Sequence, residues 1–480
     1  MIQSVTKFEL TAFALLGAVT VTSVLAAFVS ELYYLELIPF GLGIIFLGIT
    51  NFRLLYYLLL FTLPFSIEYS FSGSLGTDLP DEPLMIGLMF ITLIFSISNY
   101  KLLPTGFFSN IIIVALLFHL LWIFVSAIGS ISFLVSLKVF LAKIWYVTSF
   151  SILTVMVIKT KRDLKRAFWC IFIPLTILII QVIIRHAMQG FSFDEINKPM
   201  YPFFRNHVNY AAILSVFFPF ILLVRSWYLK GSYTRWLLTF SVFLYVIAIY
   251  LSYTRTCYLA LLAIAPFYFV VRYKLMKPVV VVFAIGTTVL SMYLYLDNNY
   301  LKYAPSYEDT ILHDELGEHL SSTFEGKDVS SMERVYRWVA AVRMFQDHPY
   351  MGFGPGTFYP NYKKYTVTSF ETYVSDNPEM SSAHNYALLV LTEQGVIGLA
   401  IFLFLYTVVF IRGEKVYHRI KDADDKKIVM TLLIVLAMVF VNLTLSDMLE
   451  TDKVGPFFFI ALSLIAAIDM RNRGLLEAKT

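Results

Sequence analysis

Apolar runs of about 20 residues, separated by charged, Gly/Pro or Asn/Asp punctuation, recur along almost the whole chain. A bilayer core offers no water to backbone amides, so each such run must satisfy its N–H and C=O groups internally, as a spanning α-helix. Hydrophobic residues make up 58% of the 480 positions and charged residues 15%, against roughly 25% charged in a soluble domain. The predicted fold class is therefore all-α, a polytopic integral membrane protein. Spans are expected near residues 8–30, 33–50, 53–68, 83–99, 107–130, 132–157, 166–186, 207–225, 234–252, 253–271, 277–296, 383–411, 428–446 and 455–470. That is about 14 crossings, or about 12 if the short second and third runs do not cross. The first run is too long for a signal-peptide core and is expected to stay as the first helix. Cys170 and Cys257 fall inside apolar runs, where they behave as small hydrophobes, so neither a disulfide nor a metal cluster is expected.

Orientation follows from the basic loops. Lys159, Lys161, Arg162, Lys165 and Arg166 fill one, and Arg272, Lys274 and Lys277 another. With Lys7, Arg53, Lys101, Arg225, Lys230, Arg235, the six basic residues from Arg412 to Lys427, and Arg471, Arg473 and Lys479, this side holds 23 of the 37 Lys and Arg residues. Such loops mark the cytoplasm. The opposite loops carry Asp78, Asp81 and Glu82, and Asp447, Glu450 and Asp452. Both termini are thus expected on the cytoplasmic side of an inner membrane. A net charge of +4 gives no sign of a nucleic-acid partner.

Three parts are predicted: an N-terminal bundle of about 11 helices over residues 1–296, a large outer loop over 297–382, and about three helices over 383–480. The loop is expected to contain its own helix. From Ser331 to Asp347, Val335, Trp338, Val339, Val342 and Phe345 recur at three- and four-residue spacing, while Arg334, Arg337 and Arg343 occupy other positions. Pro349 stops this helix, and Gly352-Phe353-Gly354-Pro355-Gly356 forms a tight connection with no βαβ context for a dinucleotide.

Three helix starts on the outer face carry polar residues that lipid would not tolerate without cause. They are Arg205-Asn206-His207-Val208-Asn209, Ser252-Tyr253-Thr254-Arg255 and Ser381-Ser382-Ala383-His384-Asn385. A helix N-terminus presents unpaired N–H groups and roughly half a positive charge, so three of them with two arginines suit an anion such as a diphosphate. An isolated interfacial arginine commonly snorkels to headgroups or caps a neighbouring helix; the shared position of Arg205 and Arg255 argues against that here. His384, with an unperturbed pKa of roughly 6.5, suits general-base work on a hydroxyl, the alternative being a satisfied interfacial histidine. His207 either orients Arg205 or the donor or simply begins its helix. Asn209, Asn385 and Arg334 are supporting candidates, although Arg334 and Arg337, one turn apart, are better placed to brace the loop. Lys138 and Lys143 should face the bundle interior or snorkel, with Glu393 a candidate partner for either. Tyr210, Tyr253 and Tyr386 are candidates for stacking on sugar rings.

The run from Glu333-Arg334 to Trp338, then Asp347-His348-Pro349, Gly352 to Phe358, Ala383-His384-Asn385-Tyr386 and Glu393-Gln394-Gly395-Val396-Ile397-Gly398 resembles, in order and spacing, the signature domain of the O-antigen ligase and polymerase superfamily. These membrane glycosyltransferases take sugar chains from an undecaprenyl diphosphate carrier. The first seven spans resemble the family in hydropathy alone. The resemblance implies a fold like that of the C-type membrane glycosyltransferases and an inverting, metal-independent transfer at the periplasmic face, without a cofactor. Arg205 and Arg255 would bind the carrier diphosphate and His384 would activate the acceptor hydroxyl. Thr254 stands where the family often has Ser, and Arg205-Asn206-His207 departs from the usual polar run; donor and acceptor identity stay open.

The expected function is a ligase that moves a finished glycan to a lipid A-core or similar acceptor, with membrane lipids as further partners. The alternative is a polymerase that extends carrier-linked repeats, since both need the same clamp and base. A polysaccharide or lipid transporter would instead place polar residues near the bilayer midplane, and here they gather at one interface. A protein O-glycosylating enzyme of the same superfamily is the remaining alternative.

Overall fold

Polar side chains at the run boundaries decide where each helix begins. The computed structural model describes residues 7–30, 37–72, 75–98, 106–193, 195–303, 329–371, 375–377 and 381–474; Lys101, Lys479 and residues 304–328 of the outer loop lie outside the described residues. The helices are α1 (Lys7–Ser30), α2 (Leu37–Thr62), α3 (Asp81–Ser98), α4 (Ile111–Ile128), α5 (Phe133–Val157), α6 (Lys161–Met188), α7 (His207–Arg225), α8 (Tyr233–Tyr250), α9 (Arg255–Arg272), α10 (Met276–Tyr295), α11 (Val329–Asp347), α12 (Tyr386–Arg419), α13 (Ala423–Leu443) and α14 (Gly455–Asn472). Asn110, Asn206, Ser232, Asn385 and Asp422 each accept a first-turn N–H through the side chain, and Thr160 with Asp163 forms a reciprocal capping box. Each contact satisfies a backbone donor that the helix itself leaves open.

Among the described residues ten helices are long and apolar enough to cross a membrane, or eleven if the bent pair in α2 is one span. α2 breaks at Asn51, whose φ of −150° and ψ of 70° are not helical; the expected spans at 33–50 and 53–68 correspond to its two halves. One element departs from an all-α fold. Ile67–Ser72 (β1) and Leu75–Leu79 (β2) pair as an antiparallel hairpin, with Ile67 opposite Leu79 and Tyr69 opposite Thr77. A hairpin closes its own backbone hydrogen bonds, so a short segment between spans can use one in place of a helix. α7, α13 and α14 form the buried centre, with 83% of the α14 window inside the protein, whereas none of the α10 window is.

Ionic contacts gather at two ends of the bundle. At the basic end the fully buried Asp469 accepts from Arg412 and Arg419 at 3.0 Å, from Arg473 at 2.9 Å and from Asn110 at 3.3 Å, tying α4, α12 and α14 together. At the other end Lys143 pairs with Glu450 at 2.7 Å, and the Tyr386 hydroxyl donates to the same carboxylate at 2.7 Å. Glu393 therefore does not pair with Lys143, and its own carboxylate is occupied elsewhere. Lys138 is exposed.

Glu393 anchors the segment between α10 and α12. α12 is broken at Gly395, where φ is +71°, and a broken helix leaves carbonyls and N–H groups that must be satisfied inside the protein. The glycine-rich stretch supplies the partners. Phe353 N–H donates to the Thr392 carbonyl at 2.9 Å and Gly354 N–H to that of Glu393 at 2.8 Å, while Val396 N–H donates to the Pro349 carbonyl at 2.9 Å. Trp122 Nε1 takes the Gln394 carbonyl at 3.0 Å. The Glu393 carboxylate then accepts from Gly356 N–H at 2.9 Å and Phe358 N–H at 3.0 Å. The backbones approach so closely that a Cβ on Gly352 would meet the Glu393 carbonyl carbon at 2.3 Å, and one on Gly395 the Tyr350 oxygen at 2.1 Å. Both positions also have positive φ, which L side chains rarely adopt.

Two outcomes are expected. Gly395→Ala and Gly352→Ala should each undock the loop, measured as faster proteolysis between residues 297 and 382 than in the wild type; unchanged cleavage would contradict the docking. Asp469→Asn should lower stability by roughly 3 kcal/mol, because three arginines lose a buried partner. Thermal unfolding in detergent beside the exposed control Asp376→Asn would check this.

Candidate functional site

The three polar stretches singled out in the sequence are helix starts, at the end of the bundle where Lys143 and Glu450 pair. Asn206 caps α7, and Asn197 Oδ1 accepts both the His207 backbone N–H at 3.1 Å and the His207 ring Nδ1–H at 2.9 Å. That hydrogen bond fixes the His207 ring toward Asn197. Thr254, at the cap position of α9, donates its hydroxyl to the His207 carbonyl at 3.4 Å, so the helix starts bearing Arg205 and Arg255 adjoin. Arg205 is exposed, whereas Nε and Nη2 of Arg255 are buried.

His384 precedes α12 and is held from several sides. Asn377 accepts the Ser381 N–H at 3.0 Å and its hydroxyl at 2.7 Å, and donates to the Ser381 carbonyl at 2.8 Å. Ser382 donates to Asp447, and Trp338 Nε1 of α11 donates to the Ala383 carbonyl at 2.9 Å. Asn385 caps α12 through Leu388 N–H at 3.0 Å and donates to the Thr444 carbonyl at 3.0 Å. With its neighbours pinned, His384 itself sits at φ +50°. Phe191, Tyr253 and Asn377 also have positive φ, and Tyr253 and Phe191 are joined by a 2.9 Å hydrogen bond. Non-glycine residues in this region persist only where the surroundings over-determine them, and they concentrate at functional sites.

The electrostatics of His384 are dominated by burial and by cations. Its imidazole is half-buried; desolvation first, and then Arg337, Arg334 and Arg205, lower its pKa to about 3. Both effects disfavour a charged ring. The imidazole is neutral at physiological pH, with three arginines in electrostatic reach.

The structure thus brings Arg205 and Arg334 to His384 and adds Arg337, which the sequence reading had assigned to bracing the loop. Arg337 is 3% exposed, and its Nη2 lies 3.1 Å from Glu333 one turn back on the same helix, a contact within α11 and not a brace to another segment. Its spacing of three residues from Arg334 on one helix was the available signal. Asn385 acts as a cap, and the Asn209 backbone N–H donates to the Asn206 cap at 3.0 Å. Tyr210 and Tyr386 are each 1% exposed and cannot stack on a sugar; only Tyr253 of the three is partly open. The resulting surface is a neutral base flanked by fixed cations at converging helix N-termini, an arrangement suited to an anionic group beside a nucleophile that must lose a proton.

No curated protein is detectably similar to the chain in sequence. The matched stretch described next takes in Arg255, α11, the glycine-rich loop, His384 and Glu393, while Arg205, His207 and Asn209 lie outside it. Residues 240–403 match the family model described as O-antigen ligase, the family that the motifs of this multi-pass membrane protein resemble.

Proposed function

We propose that this protein is a membrane glycosyltransferase of the O-antigen ligase type, which moves a glycan from undecaprenyl diphosphate to a lipid A-core or similar lipid-linked acceptor. The observation that carries the reading is the half-buried, neutral His384 beside Arg205, Arg334 and Arg337. In this reading Arg205 and Arg255 hold the donor diphosphate at the starts of α7 and α9. His384 takes the proton of the acceptor hydroxyl as its oxygen attacks the anomeric carbon. The bond from that carbon to the diphosphate oxygen breaks, and the undecaprenyl diphosphate leaves with its charge matched by the arginines and helix ends. One displacement inverts the anomeric configuration, and no step calls on a metal. The C-type glycosyltransferase likeness and the periplasmic placement of the site belong to the same proposal.

The low pKa of free His384 bears on the chemistry. A diphosphate diester brings negative charge among the same arginines that depress the ring, so donor binding should raise the basicity of His384 in the complex.

Transfer is tested with a polyprenyl diphosphate-linked donor in detergent, with EDTA present. His384→Ala should lose about 10²–10⁴-fold in rate, and Arg205→Ala and Arg255→Ala each about 10²-fold or more, at matched expression and unchanged gel-filtration profile. Normal transfer by all three would overturn the assignment. The pH dependence provides a second check. Free His384 is neutral above about pH 3, so kcat/KM should show no acid limb from it near neutrality, whereas the acid limb of kcat should lie at higher pH because the bound donor raises the ring's pKa. Coincident limbs in the two profiles would count against donor-tuned basicity.

A further inference from the structure

The basic end of the bundle holds a second feature that the transfer reaction does not use. A crevice of about 430 Å³ opens between the last turns of α7 and α9 and the first turns of α13. Its walls are apolar, with Leu222, Ile264, Met430 and Ile434 facing one another across it. Its rim carries Arg272, Lys426 and Lys427 and no carboxylate among the described residues. The acids of the same α13 start have other close partners, while Asp424 also attracts Lys427. Asp424 pairs with Lys161, Asp425 pairs with Arg471, and Asp422 caps the helix by accepting the Asp425 N–H at 2.8 Å. Among the described residues none of the three rim cations is held in an ion pair.

The crevice is also built on fixed walls. His418 Nε2 bonds the Val271 carbonyl at 2.8 Å, and Glu414 accepts Met276 N–H at 3.0 Å, so the turn from α9 to α10 is clamped onto α12. Tyr417, from the same stretch, lines the crevice and receives Lys426 Nζ over its ring at 4.9 Å. An apolar slot between spanning helices with a cationic mouth at the headgroup level matches one kind of molecule, an acyl chain ending in an anionic phosphate.

We propose that this crevice binds one anionic phospholipid from the leaflet at the basic end of the bundle, with an acyl chain along Ile264, Met430 and Ile434 and the phosphate on Arg272, Lys426 and Lys427. Because α7 and α9 start at the residues bearing the candidate site, the lipid wedges the far ends of the two helices whose near ends adjoin through Thr254 and His207. The assignment stands on the walls, the rim and the charge balance, and is independent of the glycan reading.

The test uses the full chain, delipidated in neutral detergent, and native mass spectrometry with phosphatidylglycerol and phosphatidylcholine of the same acyl chains. Wild type should retain phosphatidylglycerol at least about tenfold better than phosphatidylcholine. The triple variant Arg272→Gln, Lys426→Gln, Lys427→Gln should lose that preference, with unchanged melting in neutral detergent. Ile264→Trp, which fills the slot and keeps the cations, should lose binding as well, and it serves if the triple variant fails to fold. Equal retention of the two lipids by wild type, or full retention by Ile264→Trp, would overturn the proposal. Displacement by glycerol phosphate alone would also overturn it, since the site would then recognise a soluble phosphate ester and not a lipid.

Discussion

Two backbone hydrogen bonds to one buried carboxyl group hold the segment between α10 and α12 to the helical bundle. α12 could have run unbroken from Tyr386 to Arg419, since 34 residues of helix span about 51 Å, well beyond a bilayer core. It breaks instead at Gly395, and the break exposes carbonyls that nothing in a lipid environment could satisfy. The Gly352–Gly356 stretch fits there because its glycines let backbone meet backbone at distances no Cβ permits. Glu393 completes the contact by accepting from Gly356 and Phe358. The same docking positions α11, because Pro349 and the glycines follow it directly, and α11 carries Arg334, Arg337 and the Trp338 that bonds beside His384. Geometry at the candidate site therefore depends on this contact.

A second constraint comes from the chain direction. α7, α9 and α12 all begin at one end, so their exposed first-turn N–H groups and their N-terminal partial charges converge. Each start has an Asn or Thr at its cap position, next to Arg205, Arg255 or His384. Strain accumulates at the same place. His384 and Tyr253 occupy left-handed backbone conformations beside their helix starts, held by Asn377, Asp447, Trp338 and Phe191.

Much of this was legible in the primary structure because the signals are local. Apolar length marked the helices, charged, Gly/Pro and Asn/Asp punctuation marked their boundaries, and the three-and-four spacing from Val335 to Phe345 marked the loop helix. Motif order pointed to the family that residues 240–403 match. What escaped were pairings set by packing between distant segments. Glu393 suggested an intramembrane ion pair with a lysine, but Lys143 is taken by Glu450, and the partners of Glu393 are amides, which no residue type advertises. The β1–β2 hairpin was missed although Ile67-Glu68-Tyr69-Ser70-Phe71-Ser72 alternates apolar and polar residues with the two-residue period of a strand. Tyr210 and Tyr386 looked available beside polar neighbours, yet their rings face the core, since a helix start exposes one side only.

The arrangement around His384 is costly in the free protein, and that cost carries information. Arg205, Arg334 and Arg337 all act on one imidazole, and like charges held close in a partly desolvated setting repel. The hydrogen bond from Arg337 to Glu333 offsets part of the repulsion at one corner. Clustering of this kind adds little to folding that apolar packing of α11 could not supply, so the repulsion is most simply understood as preorganisation toward an anion. In the proposed reaction a bound diphosphate would bring negative charge among these cations, two of which, Arg334 and Arg337, lie on the helix that the loop docked at Gly395 positions.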